Sequence, residues 1–481
     1  MRLGQTSVVY LVSKIVASGL GFLATIYFTR LLGEEVYGAY ALTLAVVSWL
    51  GIVKSVGFGT AVVKRMSEAE EPDAYLAAGT AIKTGLVFAV VVGVLVFEDA
   101  LNSYVGRPVA GFVVVLLVVS IFGDLVSAAL KGSHRVHIYA PLSTFRQGAR
   151  SLCMVALVFL GWGLTGMLAG YAVGTAVAAA IGLLIVRPTI VVPRWRHVAG
   201  LFDFAKFAWI GNLRKRTFSD ADILVLGLFV PVGLTGVYAV AYALSEFLDL
   251  FGRAIRETLF PEMSRFSAQD DTEAVAALTD DALAFAGLFL IPGVVGGALL
   301  GDRLMAVYGP GFAIGDRVLG ILLFGLLVYS YTKQLLNTLN AVDRPDLSFR
   351  ANGLFVSSNV VLNVVLVVSI GWIGAAIATA ISAVVGLVAS LYYARRLLPV
   401  EVPYGEIGRQ WGAALGMGAV VYAARVAVET TVPWIDSYNA AFVLCLVGLG
   451  AAVYFLLLSL LSERFRSTVL ANLPFDPPTR L

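Results

Sequence analysis

Apolar residues recur along the chain in windows of about 20, the length that crosses about 30 Å of hydrocarbon as a helix. The windows fall near 6–28, 36–60, 74–97, 109–130, 142–160, 164–186, 204–230, 233–257, 278–300, 316–339, 347–369, 372–394, 408–428 and 438–461. The pattern predicts an all-α polytopic membrane protein of fourteen spans, an even number that puts both ends on one side.

Composition agrees. Of 481 residues 59% are hydrophobic and only 14% charged, with a mean hydropathy of +0.88, so a soluble domain is excluded: too few polar residues exist to cover it. The first window lacks a small-residue cleavage site and reads as a retained helix rather than a removed leader. Cys153 and Cys445 lie within apolar runs and are expected to be small buried packing residues, not a disulfide or metal pair. His134, His137 and His197 fall in polar connections and read as solvated, leaving no histidine inside the membrane as a proton relay.

Lysine and arginine choose the side. One alternate set of connections holds Arg2, Lys64, Arg65, Lys131, Arg135, Arg187, Arg194, Arg196, Arg265, Arg344, Arg395, Arg396, Arg409, Arg464, Arg466 and Arg480, against Arg30, Arg107, Arg303, Arg317 and Arg425 on the other. Both termini are therefore expected in the cytoplasm. No outer connection is long enough to hold a catalytic domain.

Two landmarks repeat about 200 residues apart. "GAYALTLA" (Gly38–Ala45) returns as "GVYAVAYA" (Gly236–Ala243), and "GWGLTGMLAG" (Gly161–Gly170) as "GWIGAAIATA" (Gly371–Ala380). The order predicts two six-helix lobes of like orientation, 1–200 and 201–397, with the last two spans and a tail at 398–481 outside the repeat.

Of the 34 Lys and Arg, thirteen lie inside windows or at their edges, all in the cytoplasmic half. Lys206, Arg256 and Arg350 are near boundaries and read as snorkelling side chains. Deeper cations cost roughly 2.5–3.5 kcal/mol each unless they face protein or a wet cavity. Lys14, Lys54, Arg146, Arg150, Arg214, Arg216, Arg253 and Lys333 are accordingly expected to line a cytoplasm-facing cavity for an anion. Arg146 and Arg150 share one helical face, and phosphate suits the arginine fork and the lysine point charge.

The stretch "NLRKRTFSDAD" (Asn212–Asp222) holds the densest charges. Arg216 with Asp220, and Lys215 with Asp222, lie on common helical faces and partly neutralise each other, leaving Arg214 over. Asp222 reads as a structural ion pair ahead of a coupling-ion site; Asp124 and Asp249 read as hydrogen-bonded packing residues, with proton or sodium binding as the alternative. No phosphate-binding loop, H-E-x-x-H or outer carboxylate pair occurs, so neither a cofactor nor a metal nor an enzymatic activity is expected.

"TRLLGEEVYGAYAL" (Thr29–Leu42), "DILVLGLFVPVGLTGVYAVAYAL" (Asp222–Leu244), "LFPEMSRF" (Leu259–Phe266), "LMAVYGPGFAIGDRVLGIL" (Leu304–Leu322) and "NVVLNVVLVVSIGWIGAAIATAIS" (Asn359–Ser382) resemble, in order, stretches of polysaccharide-biosynthesis flippases of the multidrug/oligosaccharidyl-lipid/polysaccharide exporter superfamily. The resemblance covers most of the first twelve spans. It implies a V-shaped pair of six-helix bundles that alternates its access and carries a polyprenyl phosphate- or pyrophosphate-linked oligosaccharide outward, with the last two spans forming a groove for the lipid tail. Lys14, Lys54 and Arg253 sit on the spans whose cations reach the cavity in related lipid II flippases. The implied setting is the plasma membrane, with glycosyltransferases of the same pathway as partners and no nucleic acid. Competing readings are a lipid II-type flippase, a multidrug/cation antiporter, which would favour acids over the cations seen here, and a membrane glycan polymerase or glycosyltransferase, which would need a larger outer loop.

Overall fold

The computed structural model describes residues 3–55, 58–68, 71–189, 191–432 and 434–471, with side chains except in 3–18, 53–55, 204–220 and 469–471. Among these residues there is helix and no strand. Helix fills most of each expected window. Among the described residues ten helices are long and apolar enough to cross a membrane, or eleven if one bent pair counts as a single span. The window at 142–160 is helical but does not meet that measure, because Arg146 and Arg150 lower its hydropathy.

The chain divides into two compact units, Met1–Gly236 and Val237–Leu481. The first begins with α1 (Leu3–Ser55), which runs through two expected windows and breaks at Gly33, whose φ of 77° suits glycine alone. It continues with α2 (Phe58–Glu68), α3 (Pro72–Val96), a short α4 (Glu98–Val105), α5 (Ala110–Gly132), α6 (Val136–Phe159), α7 (Gly163–Val186) and α8 (Trp195–Phe229). Asn102 Oδ1 accepts from the amides of Val109 and Ala110 at 2.8 and 3.0 Å, satisfying donors at the start of α5.

In lipid, helices gain nothing from hydrophobic burial against one another, so close contact through small residues carries the packing. On α7, Gly166, Gly170 and Gly174 recur every four residues. A Cβ on Gly170 would lie 2.5 Å from the Met154 amide nitrogen, and one on Gly174 2.5 Å from that of Arg150. This α6–α7 hairpin turns through Gly161 and Gly163, both at positive φ. The other landmark is explained similarly: a Cβ on Gly38 would strike the Val232 carbonyl, and one on Gly236 the Glu34 carbonyl.

The second unit takes in most of α9 (Val232–Leu248), then α10 (Leu250–Ser267), α11 (Thr272–Ala286), α12 (Leu290–Ala306), a 3-10 turn at Pro310–Gly315, α13 (Asp316–Ala341), α14 (Pro345–Ile370) and α15 (Ile373–Leu397). It closes with α16 (Tyr404–Thr431), α17 (Asn439–Leu461) and α18 (Glu463–Ala471). α15 carries its own buried small-residue stripe, Gly374, Ala378, Ser382, Gly386, Ser390 and Ala394, and a Cβ on Gly374 would meet the Leu366 carbonyl of α14. Thus "GWGLTGMLAG" and "GWIGAAIATA" each make the tight turn and first contacts of a helical hairpin.

The helices after residue 398 are fastened to α11 and α12. Leu290, Leu300, Ala413, Met417, Val421, Phe442, Leu446 and Tyr454 form one buried cluster. Gln410 donates to the Ala284 carbonyl at 2.6 Å. At one end of this bundle Arg425 forks onto Asp302 at 3.0 and 2.6 Å and reaches Glu429 at 2.9 Å, while Arg303 donates to Glu429 at 3.1 Å and to Asp436. At the other end Ser462 donates to the buried Glu406 at 2.5 Å.

Two expectations need correction. His197 is buried, not solvated: its Nδ1 faces the Arg194 amide at 3.0 Å, its Nε2 lies 2.8 Å from Glu71, and its ring meets the Tyr75 edge. The polar connection containing it is clamped onto α3, whereas His134 and His137 are exposed as expected. Neither cysteine is buried: Cys445 is exposed on α17 and Cys153 half-buried on α6.

Candidate functional site

Each unit gathers charge inside its own helices. In the first, Arg146 and Arg150 stand one turn apart on α6. The stripe on α7 brings the α6 backbone close enough for Arg150 Nε to donate to Thr175 Oγ1 at 2.8 Å, with its guanidinium 4.1 Å from the centroid of the Tyr171 ring. Arg146 lines a cavity of about 20 Å³ between α5, α6 and α7, with Gly123, Ser127, Tyr139 and Ser143. Neither arginine has a carboxylate within ion-pair distance among the described residues. Two half-buried guanidiniums thus face no acid among the described residues, an arrangement suited to an incoming anion.

Lys83 and Asp124 supply the contrast. Lys83, nearly buried on α3, lies 3.6 Å from Asp124 on α5 beside a second small cavity lined by Gly79 and Thr80. The pair neutralises itself.

In the second unit the span made by α9 and α10 bends 43° at Asp249. That carboxylate, fully buried, accepts from Lys333 Nζ of α13 at 2.6 Å and from Arg256 at 3.3 Å. Lys333 also sits over the Tyr329 ring, 4.8 Å from its centroid. Arg253 lies apart from this cluster, paired at 3.3 Å with Glu246, and both of those side chains are exposed.

Of the residues expected at the site, then, Arg146 and Arg150 come together in one unit and Lys333 and Asp249 in the other. Asp222 is buried on α8. The side chains of Lys14, Lys54, Arg214 and Arg216 lie outside the described residues. Sequence reasoning missed three participants. Arg256, read as a snorkelling boundary residue, instead joins Asp249, and their spacing of seven, two helical turns, was the available signal. Tyr171 and Thr175 had none, because aromatic and hydroxyl residues are ordinary in such helices.

Comparison with known proteins follows the same lines. Over 96% of this chain and 100% of the other, the structure is similar to that of the lipid II flippase MurJ in an inward closed conformation, with a TM-score of 0.78 at 15% identity. An inward-facing multidrug resistance MATE family transporter of the MOP superfamily matches over 79% of this chain and 95% of its own, with a TM-score of 0.65 at 14% identity. The chain therefore has the fold that these two structures share, that of a class of multi-pass helical membrane proteins.

Within that class the chain belongs to the polysaccharide biosynthesis protein family, whose profile matches residues 3–267, more than half its length. The lipid II flippase MurJ profile matches residues 137–447. Among similar sequences, the probable flippase AglR of Haloferax volcanii is 28% identical over 97% of this chain and 98% of its own. The probable low-salt glycan biosynthesis flippase Agl15 of the same organism is 26% identical over 98% and 99%.

Proposed function

We propose that the protein is a flippase that moves a polyprenyl phosphate- or pyrophosphate-linked oligosaccharide from the cytoplasmic to the outer leaflet by alternating access, for surface polysaccharide or glycoprotein glycan assembly. The observation that carries this reading is the Arg146–Arg150 pair, two cations one turn apart without an acidic partner among the described residues. Burying such charge costs several kcal/mol, about 2.5–3.5 for each cation at mid-membrane, unless an anion or water meets it. A phosphate group supplies that anion, and membership of the family and the relatives named as flippases support a lipid-linked glycan as its bearer.

Under this reading Lys14, Lys54, Arg214, Arg216, Arg253 and Lys333 join Arg146 and Arg150 as contacts for the head group, while Asp222, Asp124 and Asp249 are the acids available to couple an ion. The working parts are residues 1–200 and 201–397, with 398–481 appended. The protein lies in the plasma membrane with both termini cytoplasmic, as the lysine and arginine bias supports, and receives its cargo from glycosyltransferases of the same pathway. The dominance of cations over acids inside the spans favours this cargo over the cationic drugs of an antiporter.

The test is reconstitution in liposomes with a fluorescent polyprenyl-diphosphate glycan, scored by the fraction reaching the far leaflet. Wild type moves the probe, and Arg146→Met/Arg150→Met, still folded, does not. Failure of the wild type to move any polyprenyl-linked glycan overturns the proposal.

A further inference from the structure

At the bend between α9 and α10, two cations share one carboxylate. Asp249 has no exposed surface, whereas the side chains of Lys333 and Arg256 are 22% and 14% exposed. Both cations donate to the same oxygen, Oδ2, at 2.6 and 3.3 Å. Most of their hydrogens stay unused, for an ammonium offers three and a guanidinium five. Arg256 Nη1 is buried without a partner among the described residues, as is Oε1 of the neighbouring Gln334, while Ser330 interacts with the Asp249 carboxylate.

Gly252 packs directly against these atoms: a Cβ there would sit 2.9 Å from Ser330 Oγ, 3.0 Å from Asp249 Oδ1 and 3.5 Å from Arg256 Nη1, so the absence of a side chain is what lets them come so close. The cluster carries one net positive charge. Buried polar atoms are almost always paired in native proteins, so an arrangement with two cations, unspent donors and one carboxylate beneath them is that of an anion site partly filled by the protein itself.

We propose that Asp249 is an internal stand-in for the substrate anion. It engages Lys333 and Arg256 while the site is empty, and a phosphate or diphosphate group takes over their donors on binding. This rests on the function proposed above. A phosphate presents the same kind of charged oxygen with more charge, so it competes successfully for the donors. A resident carboxylate in turn shortens the stay of the anion, since two buried cations left without it would hold a phosphate too firmly for release. Asp249 is therefore a positioning residue that sets affinity, and it need not touch the cargo.

The experiment measures binding to the full chain in nanodiscs by calorimetry, with inorganic pyrophosphate as one probe and a polyprenyl diphosphate in the disc as the other. Asp249→Asn is expected to bind about fivefold tighter than wild type, the effect of removing one nearby like charge where the cations keep partial contact with solvent. Lys333→Met binds more weakly, and the double variant returns towards wild type. Tightening with both probes assigns the site to phosphate groups in general, and tightening with the lipid alone to the lipid head group. A folded Asp249→Asn protein with equal or weaker affinity overturns the proposal, as a purely structural or water-filled triad would give. If Asp249→Asn does not fold, the charge-balanced Asp249→Asn/Lys333→Met protein is compared with Lys333→Met, and equal affinities overturn it. A wild type that binds neither probe removes the anion reading itself, whereas wild-type binding with no response to Asp249→Asn removes only the stand-in.

Discussion

The Arg150 guanidinium lies over the face of Tyr171, 4.1 Å from the ring centroid, while its Nε is held by Thr175 at 2.8 Å. Both partners are neutral, so they orient the cation without cancelling its charge. A ring face attracts a cation by roughly 0.5–2 kcal/mol depending on solvation. Replacing Tyr171 with Leu should leave the charge in place but loosen its aim, lowering pyrophosphate affinity by about threefold, within that energy range. Arg150→Met should cost about tenfold or more, since charge-assisted hydrogen bonds are worth roughly 1.5–3 kcal/mol. Titration of both folded variants checks the order; a Tyr171→Leu loss as large as that of Arg150→Met would contradict it.

The hairpin beneath this pair sets a second expectation. A side chain on Gly174 has nowhere to go, because the Arg150 backbone already occupies the position of its Cβ. Gly174→Val should push α6 and α7 apart, with a destabilisation of about 1–3 kcal/mol typical of overpacking. It should also reduce anion binding, because Thr175 and Tyr171 move with α7. Gly148, which has nothing near its Cβ position, gives the control on α6: Gly148→Ala should leave the melting temperature unchanged or slightly raised. Thermal unfolding followed by intrinsic fluorescence distinguishes the two.

Much of this was legible in the sequence, and the limits have physical causes. Hydropathy located the helices because lipid forces backbone groups to pair within each span. The repeated glycine landmarks marked the turns, since only small residues permit so close an approach. Charge depth pointed to Arg146, Arg150 and Lys333, whose side chains the structure packs among helices. What the pattern cannot say is which acid answers which cation: Arg256 pairs with Asp249 and Arg253 with Glu246, although both arginines lie on α10, because pairing with Asp249 depends on the bend and on α13 passing beside it. Likewise His197 looked like a loop residue, for burial of a connection depends on what folds over it.

The ends of α12 and α16 supply another test. Arg425 is mostly buried and bridges Asp302 and Glu429, and Arg303 joins Glu429 to Asp436. These bonds hold α16 and the turn before α17 against α12. Removing one partner of a buried pair strands the other charges, at a cost of about 3–5 kcal/mol in full burial and less at this partial exposure. Arg425→Ala should thus lower the melting temperature more than Arg344→Ala, whose partner Asp346 is a neighbour on the surface. Comparable shifts for the two would show that the network contributes nothing special.

Acid should open the clamp between the start of α3 and the start of α8. Glu71 accepts from Arg196 at 2.7 Å through both oxygens and lies 2.8 Å from His197 Nε2. The Arg196 hydrogen bonds, with a smaller part from His197, hold the Glu71 carboxyl below its ordinary value. A carboxylate depressed in the folded state stabilises that state above the unfolded pKa, and the contribution disappears as pH falls through the lower, folded one. The clamp should therefore be fully effective at neutral pH and fail below the ordinary glutamate range. Glu71 is open to solvent, so the effect should be small and weaken with salt. Amide hydrogen exchange at the first turns of α3 and α8, followed from neutral to acidic pH, should accelerate in wild type. Glu71→Gln should exchange faster already at neutral pH and respond less to acid, and an identical acid response in that variant would assign the titration to another group.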